Sequence, residues 1–338
     1  MGEGQPRTLL GTIKDEGPYL LEWICYHRLI GFERIVIASN DCRDGSREML
    51  DHLDAIGMIT HVENSACQAG EPADPQNRAY ARFWADDTIR ASEWVLVADA
   101  DEFLNIRVGD GTLDALIAAA EERAGGQVDL IAASWRVFGT GGIVDFRDAP
   151  VIAQFTRAAR PGVHRIQRLT AFKTLFRPHV ARRLGIHRPR LYPRFVEGKA
   201  QALWVNGAGA PMPARYLRQG WRMRADSYGD DLVSMNHYMI KSSEAFLMKR
   251  YRGTANSDDA NRIDLSYFET FNVNDVEEHG IQRHLPALTQ ALARLRAEHP
   301  TLARLHEHSL GWHRQRLDSA RRALLADDPA AARRLGLA

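Results

Sequence analysis

The stretch WVLVADADEF, residues 94–103, decides how the chain is read. Residues 94–98 are apolar and suit a buried strand, and Asp99, Asp101 and Glu102 then bring three acids into four positions. On an extended segment side chains alternate, so Asp99 and Asp101 are predicted to face one ligand. Neighbouring carboxylates repel, and burial at a strand end adds a desolvation cost. A hard divalent cation relieves both, and Mg²⁺ or Mn²⁺ suits carboxylate oxygens shared with phosphates and water. The competing reading is a pair of turn or capping aspartates. Placement after a strand favours the ligand, because open α/β sheets gather ligands at the carboxyl ends of their strands.

The flanking chain repeats the same alternation. TLLGTIK (8–14) reads as a first strand and DEGPYLLEWICYHRLIGF as a helix with Pro18 in its first turn and Gly31 as its stop. RIVIAS (34–39) is a second strand, SREMLDHLDAIG a second helix and MITHVEN (58–64) a third strand. DPQNRAYARFWADDTIRAS is predicted as one longer helix leading into the acidic strand. Trp23 and His27 share an apolar helix face and read as core. The result is a Rossmann-like α/β half without a G-x-G-x-x-G or P-loop signature. Beyond the acids, DGTLDALIAAAEER is helical and VDLIAASWRVFG (128–139) a strand, followed by a glycine-rich loop. Residues 145–235 are irregular, with short strands at LTAFKTLF and ALWVNG; SSEAFLMKRYRG is a helix closed by Gly253. From Leu285 the chain reads as amphipathic helices with arginine-rich faces, suited to solvent, to an anionic membrane surface or to another copy of the chain.

The 338 residues, 45% hydrophobic and 26% charged, are ordinary for a globular protein, and the net charge of +1 provides no global attraction to nucleic acid. Cys25, Cys42 and Cys67 form no C-x-x-C pair, and no apolar run approaches 18 residues, which points to a reducing cytoplasm with peripheral contact at the inner membrane face as the alternative.

KDEGPYLLEWICYHRLIGFERIVIASNDCRDGS resembles the opening of GT-A glycosyltransferases of the family-2-like kind, including the branch related to family 92, and DADEF resembles their D-x-D motif. WRVFGTGG, KTLFRP, GIHRPR and NHYMIKSSEAFLMKRYRG are similar to later blocks of that branch. The resemblance, which spans roughly residues 8–253, implies a GT-A fold, a mixed α/β sheet flanked by helices, over residues 1–255, with a nucleotide-sugar half (8–105) and an acceptor half (106–255); residues 256–338, outside it, read as a mainly helical C-terminal extension. It implies a metal-dependent, inverting hexosyltransferase-type enzyme using Mn²⁺ or Mg²⁺, a nucleotide-sugar donor, by default a UDP-sugar, and a saccharide or glycolipid acceptor. With a composition of bacterial type, a surface polysaccharide, lipopolysaccharide or glycolipid is the expected product.

Carried over by position, Thr12 and Lys14 lie beside the base or phosphates, Glu16 follows in the loop, and Asn40 approaches the base or ribose. SNDCRDGS departs from the commoner D-D-G-S pattern at that point. The metal set is Asp99, Asp101 and, from a late segment, His237, with His187 as runner-up and a structural loop histidine as the alternative. Lys241 and Arg252 are candidates for the diphosphate, Trp135 and Arg136 for the acceptor border. For the base that deprotonates the acceptor, Asp145 and Glu102 are the candidates. Two other functions compete: a nucleotidyltransferase, which calls for a Gly-rich, Lys-bearing phosphate loop that GTIKDEGPY lacks, and a carbohydrate-binding protein that has kept the fold without turnover.

Overall fold

A computed structural model describes residues 4–164, 166–252 and 263–338. The helix stop expected at Gly253, the domain boundary at 255 and the side chain of Arg252 lie outside the described residues. Among those residues nine strands form one mixed sheet: β1 (Arg7–Ile13), β2 (Arg34–Ser39), β3 (Thr60–Glu63), β4 (Trp94–Val97), β5 (Glu102–Ile106), β6 (Leu130–Val137), β7 (Phe172–Phe176), β8 (Trp204–Asn206) and β9 (Val233–His237). Their order is β3-β2-β1-β4-β7-β6-β9-β5, with β8 beside β6. Helices flank the sheet and the C-terminal part is helical, which is the expected architecture.

Strand direction sets where chemistry can collect. β3, β2, β1 and β4 are mutually parallel. β7 runs against both β4 and β6, so β6 shares the direction of β4, and β9 is parallel to β6. The carboxyl ends of β1, β4, β6 and β9 therefore meet at one edge, and reversed β7 brings its amino end, Phe172 and Lys173, to the same edge.

β4 reads as continuously apolar because it is covered on both faces. Trp94 and Leu96 enter the core under the Gly17–Leu29 helix; Val95 and Val97 enter the opposite core with Tyr80 and Phe83. Trp23 and His27 are fully buried in the first core, as expected, and burial holds the His27 imidazole down to about 3. Gly11 makes that packing possible, since a Cβ there would lie 2.9 Å from the Trp23 ring.

One local expectation is corrected. The single helix expected over 74–92 is two, Pro75–Ala85 and Asp87–Arg90, because Asp86 takes an extended backbone and its carboxylate accepts the Thr88 N–H. Between the acids and the expected helix, found at Leu113–Ala124, lies a strand that was not expected: Glu102–Ile106 forms the wholly buried β5, paired antiparallel with β9.

The tail forms helices Leu285–Glu298, Pro300–Asp327 and Pro329–Arg334. Its longest helix is fastened to the loop after β2. Asp44 is fully buried and accepts from the Gly17 N–H (2.9 Å), the Ser46 N–H (2.9 Å), Ser309 Oγ (3.2 Å) and His313 Nε2 (3.0 Å). Burial works to raise this carboxyl, but His313 and Ser46 outweigh it and hold it well below the usual carboxylate range. Gly17 has to be glycine for the helix to approach, because a Cβ would fall 2.2 Å from Ser309 Oγ. Among the described residues no helix is long and apolar enough to cross a membrane.

Candidate functional site

A cleft of about 600 Å³ opens at the shared edge of the sheet. Thr12 and Lys14 reach it from the end of β1, Glu16 from the following loop, Asp99 and Asp101 from the end of β4, Trp135 from β6 and His237 from the end of β9. Six residues singled out from the sequence as donor or metal contacts thus line one cavity. The two aspartates converge by a route other than strand alternation. Asp99 and Asp101 do not lie on an extended strand; the Glu102 N–H donates to the Asp99 carbonyl (3.0 Å), and a tight turn presents both side chains.

The acids carry their own counter-charges. Lys173 is 0% exposed, with its Nζ 3.1 Å from Asp99 Oδ2 and 3.0 Å from Glu102 Oε2. Burial lowers a lysine's pKa, but the two carboxylates outweigh it and hold Lys173 charged, well above its ordinary value. Asp99 Oδ1 accepts from Gln76 Nε2 at 3.2 Å, and about a third of its side chain stays open to the cleft. Asp101 is buried, with Oδ2 2.8 Å from Lys249 Nζ and Oδ1 3.2 Å from His237 Nε2. Burial would raise its pKa; Lys249 and then His237 hold it well below the usual carboxylate range.

Glu102 is 0% exposed and serves the turn from behind. It accepts the Asp99 N–H (2.8 Å) and Trp135 Nε1–H (2.7 Å), and burial raises its pKa despite Lys173. A sealed carboxylate cannot touch an acceptor hydroxyl, so its position is that of a residue that orients the turn. Asp145, the other candidate base, does not line the cleft: its side chain is 65% exposed and pairs with Arg147 at 3.4 Å.

Asn40 and Lys241 are also placed differently from the expectation. Asn40 sits at the end of β2 but is buried, with Oδ1 accepting from Arg78 (3.2 Å) and Nδ2 donating to Asp41 (2.9 Å). Lys241 adopts φ +60, is buried with its ammonium 4.2 Å from the Tyr19 ring centroid, and lines a small neighbouring pocket. Arg136 is buried against Asp230 rather than the cleft. His187 does line the cleft, but its Nδ1–H donates to the Phe172 carbonyl (3.1 Å) and its ring stacks on Trp221. Burial, then the charge of Lys173, holds it down to about 3.

The residues that sequence reasoning missed are chiefly cations and aromatics from distant segments. Lys173 and Lys249 stand inside KTLFRP and FLMKRYRG, but nothing in either segment marks them as partners of acids more than seventy residues earlier. Gln76, Arg168, Trp221, Arg222, Tyr267 and Phe271 also line the cleft. The last two stand on the Leu265–Phe271 helix, so the part of the chain read as an extension supplies a side of the site.

The metal expectation can be tested on this geometry. Adjacent ligands on a six-coordinate ion with bonds near 2.1 Å stand about 3.0 Å apart, and the Asp101 Oδ1 to His237 Nε2 separation is 3.2 Å. That pair fits. Both Asp99 oxygens are engaged by Lys173 and Gln76, and among the described residues no three His, Cys, Asp or Glu side chains converge as a ready-made cage. A two-residue site completed by phosphate oxygens and water is the form these donors suit.

No family model matches the chain. A curated glycosyltransferase family 92 protein from Ricinus communis is 29% identical over 136 residues, which is 39% of this chain and 22% of that protein. The chain thus spans about a fifth of the relative's length, and the relative carries the family name that the order of motifs resembles. Among solved structures, S. aureus TarS aligns over 78% of this chain and 43% of its own, at 12% identity and a TM-score of 0.29. An active-site mutant of LgtC aligns over 76% and 93%, at 14% identity and a TM-score of 0.31.

Proposed function

We propose that the chain is a glycosyltransferase that moves a sugar from a nucleoside-diphosphate donor, by default a UDP-sugar, to a hydroxyl of a saccharide or glycolipid. The observation that carries this reading is the floor of the cleft: Asp99 and Asp101 at the carboxyl end of β4, with Lys14, Lys249 and His237 around them. Departure of a nucleoside diphosphate through an oxocarbenium-like transition state leaves negative charge that must be met as it develops. Anchored cations beside acids, at the ligand-gathering edge of the sheet, suit that task. The family 92 name of the Ricinus communis relative favours sugar transfer over other chemistries on phosphates.

In this reading Asp101 and His237 would hold Mn²⁺ or Mg²⁺, which when bound would supply Lewis-acid neutralisation of the diphosphate. Lys249, 2.8 Å from Asp101, keeps that carboxylate ionised and brings an ammonium to the place where diphosphate oxygens collect. Lys173 and Glu102 fix the turn from beneath, and Trp135 borders the acceptor side. Inversion by single displacement brings the acceptor in opposite the departing diphosphate.

Equilibrium binding of UDP with and without Mn²⁺, followed by donor hydrolysis, tests the reading. Mn²⁺-strengthened UDP binding with slow donor hydrolysis is the expected result. Consumption of nucleoside triphosphates instead would assign a nucleotidyltransferase, and binding without any turnover a non-catalytic protein.

A further inference from the structure

A second cleft, of about 750 Å³, lies beyond Trp221 and Arg222, which line both cavities. This partition is a stack: the Trp221 ring lies on His187 with centroids 4.7 Å apart and planes 16° from parallel, and the Arg222 guanidinium sits 4.0 Å from the Trp221 centroid. Residues 215–224, RYLRQGWRMR, wall the second cleft with arginines at 215, 222 and 224 and contain no acid. Among the described lining residues there is no carboxylate. Asp226, the nearest acid along the chain, is held by the Arg215 fork, a pair of no net charge, so Arg222 and Arg224 carry the excess at the wall. From behind, buried Arg188 donates to the carbonyls of Tyr216 and Arg218 and adds a further positive charge.

With a net charge of only +1 over the whole chain, this excess reflects placement. A concave, one-signed wall concentrates its field and selects ligands of opposite charge, and arginine is the side chain whose geometry matches phosphate and carboxylate. A sugar hydroxyl at the first cleft, on a molecule continuing past the edge of Trp221, would carry its next group into this basic chamber.

We propose that the second cleft is an anion subsite for the acceptor, so that the molecule glycosylated is a saccharide or glycolipid bearing a phosphate or carboxylate, seated by Arg222 and Arg224. The proposal rests on the transferase reading above and adds the charge class of the acceptor to it.

The test uses the full chain and three probes, methyl glucoside, its 6-phosphate and the corresponding glucuronide, with affinities measured by ligand-observed NMR and UDP affinity measured in parallel. The wild type binds one or both charged glycosides at least about tenfold more tightly than the neutral one, the scale of one charge-assisted contact. Which charged probe gains tells phosphate from carboxylate. Arg224→Glu, on an exposed side chain outside the first cleft, abolishes the preference, Arg224→Lys retains most of it, and UDP affinity is the same in all three proteins. Equal binding of the three glycosides by a protein that binds UDP overturns the anion subsite and leaves the transferase reading standing. A charge preference without UDP binding overturns the transferase reading and the acceptor role with it. Binding to phosphatidylglycerol vesicles that depends on Arg224, with no preference among the glycosides, assigns the surface to a membrane and also overturns the proposal.

Discussion

Replacing Lys173 with Met removes the cation on which the acidic turn is built. Lys173 is 0% exposed and contacts two carboxylates, Glu102 at 3.0 Å and Asp99 at 3.1 Å. Breaking a buried ion pair from one side costs about 3–5 kcal/mol, because the remaining charge is left uncompensated. Glu102 keeps two other donors, the Asp99 N–H and Trp135 Nε1–H, so the lower end, about 3 kcal/mol, is expected at pH 8. Protonation of Glu102 relieves the penalty. Its pKa is already raised by burial and rises further once Lys173 is gone, so the loss shrinks as pH falls. Urea denaturation of wild type, K173M, E102Q and the double variant gives the coupling directly, and E102Q should restore at least about 1.5 kcal/mol in the K173M background. A K173M loss below about 1 kcal/mol, or no rescue by E102Q, would refute the claim that this pair organises the turn.

Asp101→Ala should cut turnover by at least about a hundredfold, the scale of losing one electrostatic stabiliser, and should abolish the Mn²⁺ effect on UDP binding; unchanged steady-state activity would remove Asp101 from the mechanism. His237→Ala should raise the Mn²⁺ concentration needed for half-maximal activity far more than it changes KM for donor at saturating metal. His187→Ala should leave the metal requirement alone, and the opposite ranking in a Mn²⁺ titration would transfer the ligand role to His187. Glu22, which accepts the Val151 and Ile152 N–H groups, is lifted by burial from 4.5 to about 7. The folded state therefore binds the extra proton, so stability falls by about 3 kcal/mol as pH rises from 4.5 through 7, and Glu22→Gln should flatten that slope in thermal melts across pH.

The parallel half of the fold was legible because short apolar runs at β1, β2 and β4 alternate with segments long enough for crossover helices and are bounded by turn residues. β5 was not: Glu102 and Asn105 interrupt its apolar run, and its stability comes from pairing with β9, more than a hundred residues later. The same contrast holds at the site. That Asp99, Asp101 and Lys14 line one cleft could be read from their positions at strand ends, Thr12 and Glu16 from the family resemblance, and His237 from its place after a strand in a late segment. Lys173 and Lys249 could not, since a lysine inside an apolar segment looks the same whether or not the fold brings an acid to it. Asp145 stood in the right order along the chain, but the loop that carries it turns its side chain to solvent.

Incubation of the purified chain with a panel of nucleotide-sugars and Mn²⁺, with release of the nucleoside diphosphate measured and Asp101→Ala alongside, tests whether this cleft transfers sugar. At least one donor is expected to be hydrolysed by the wild type, EDTA to suppress the reaction, and the variant to lose it. Failure of every donor to bind or react, or equal release by Asp101→Ala, would contradict the transferase reading.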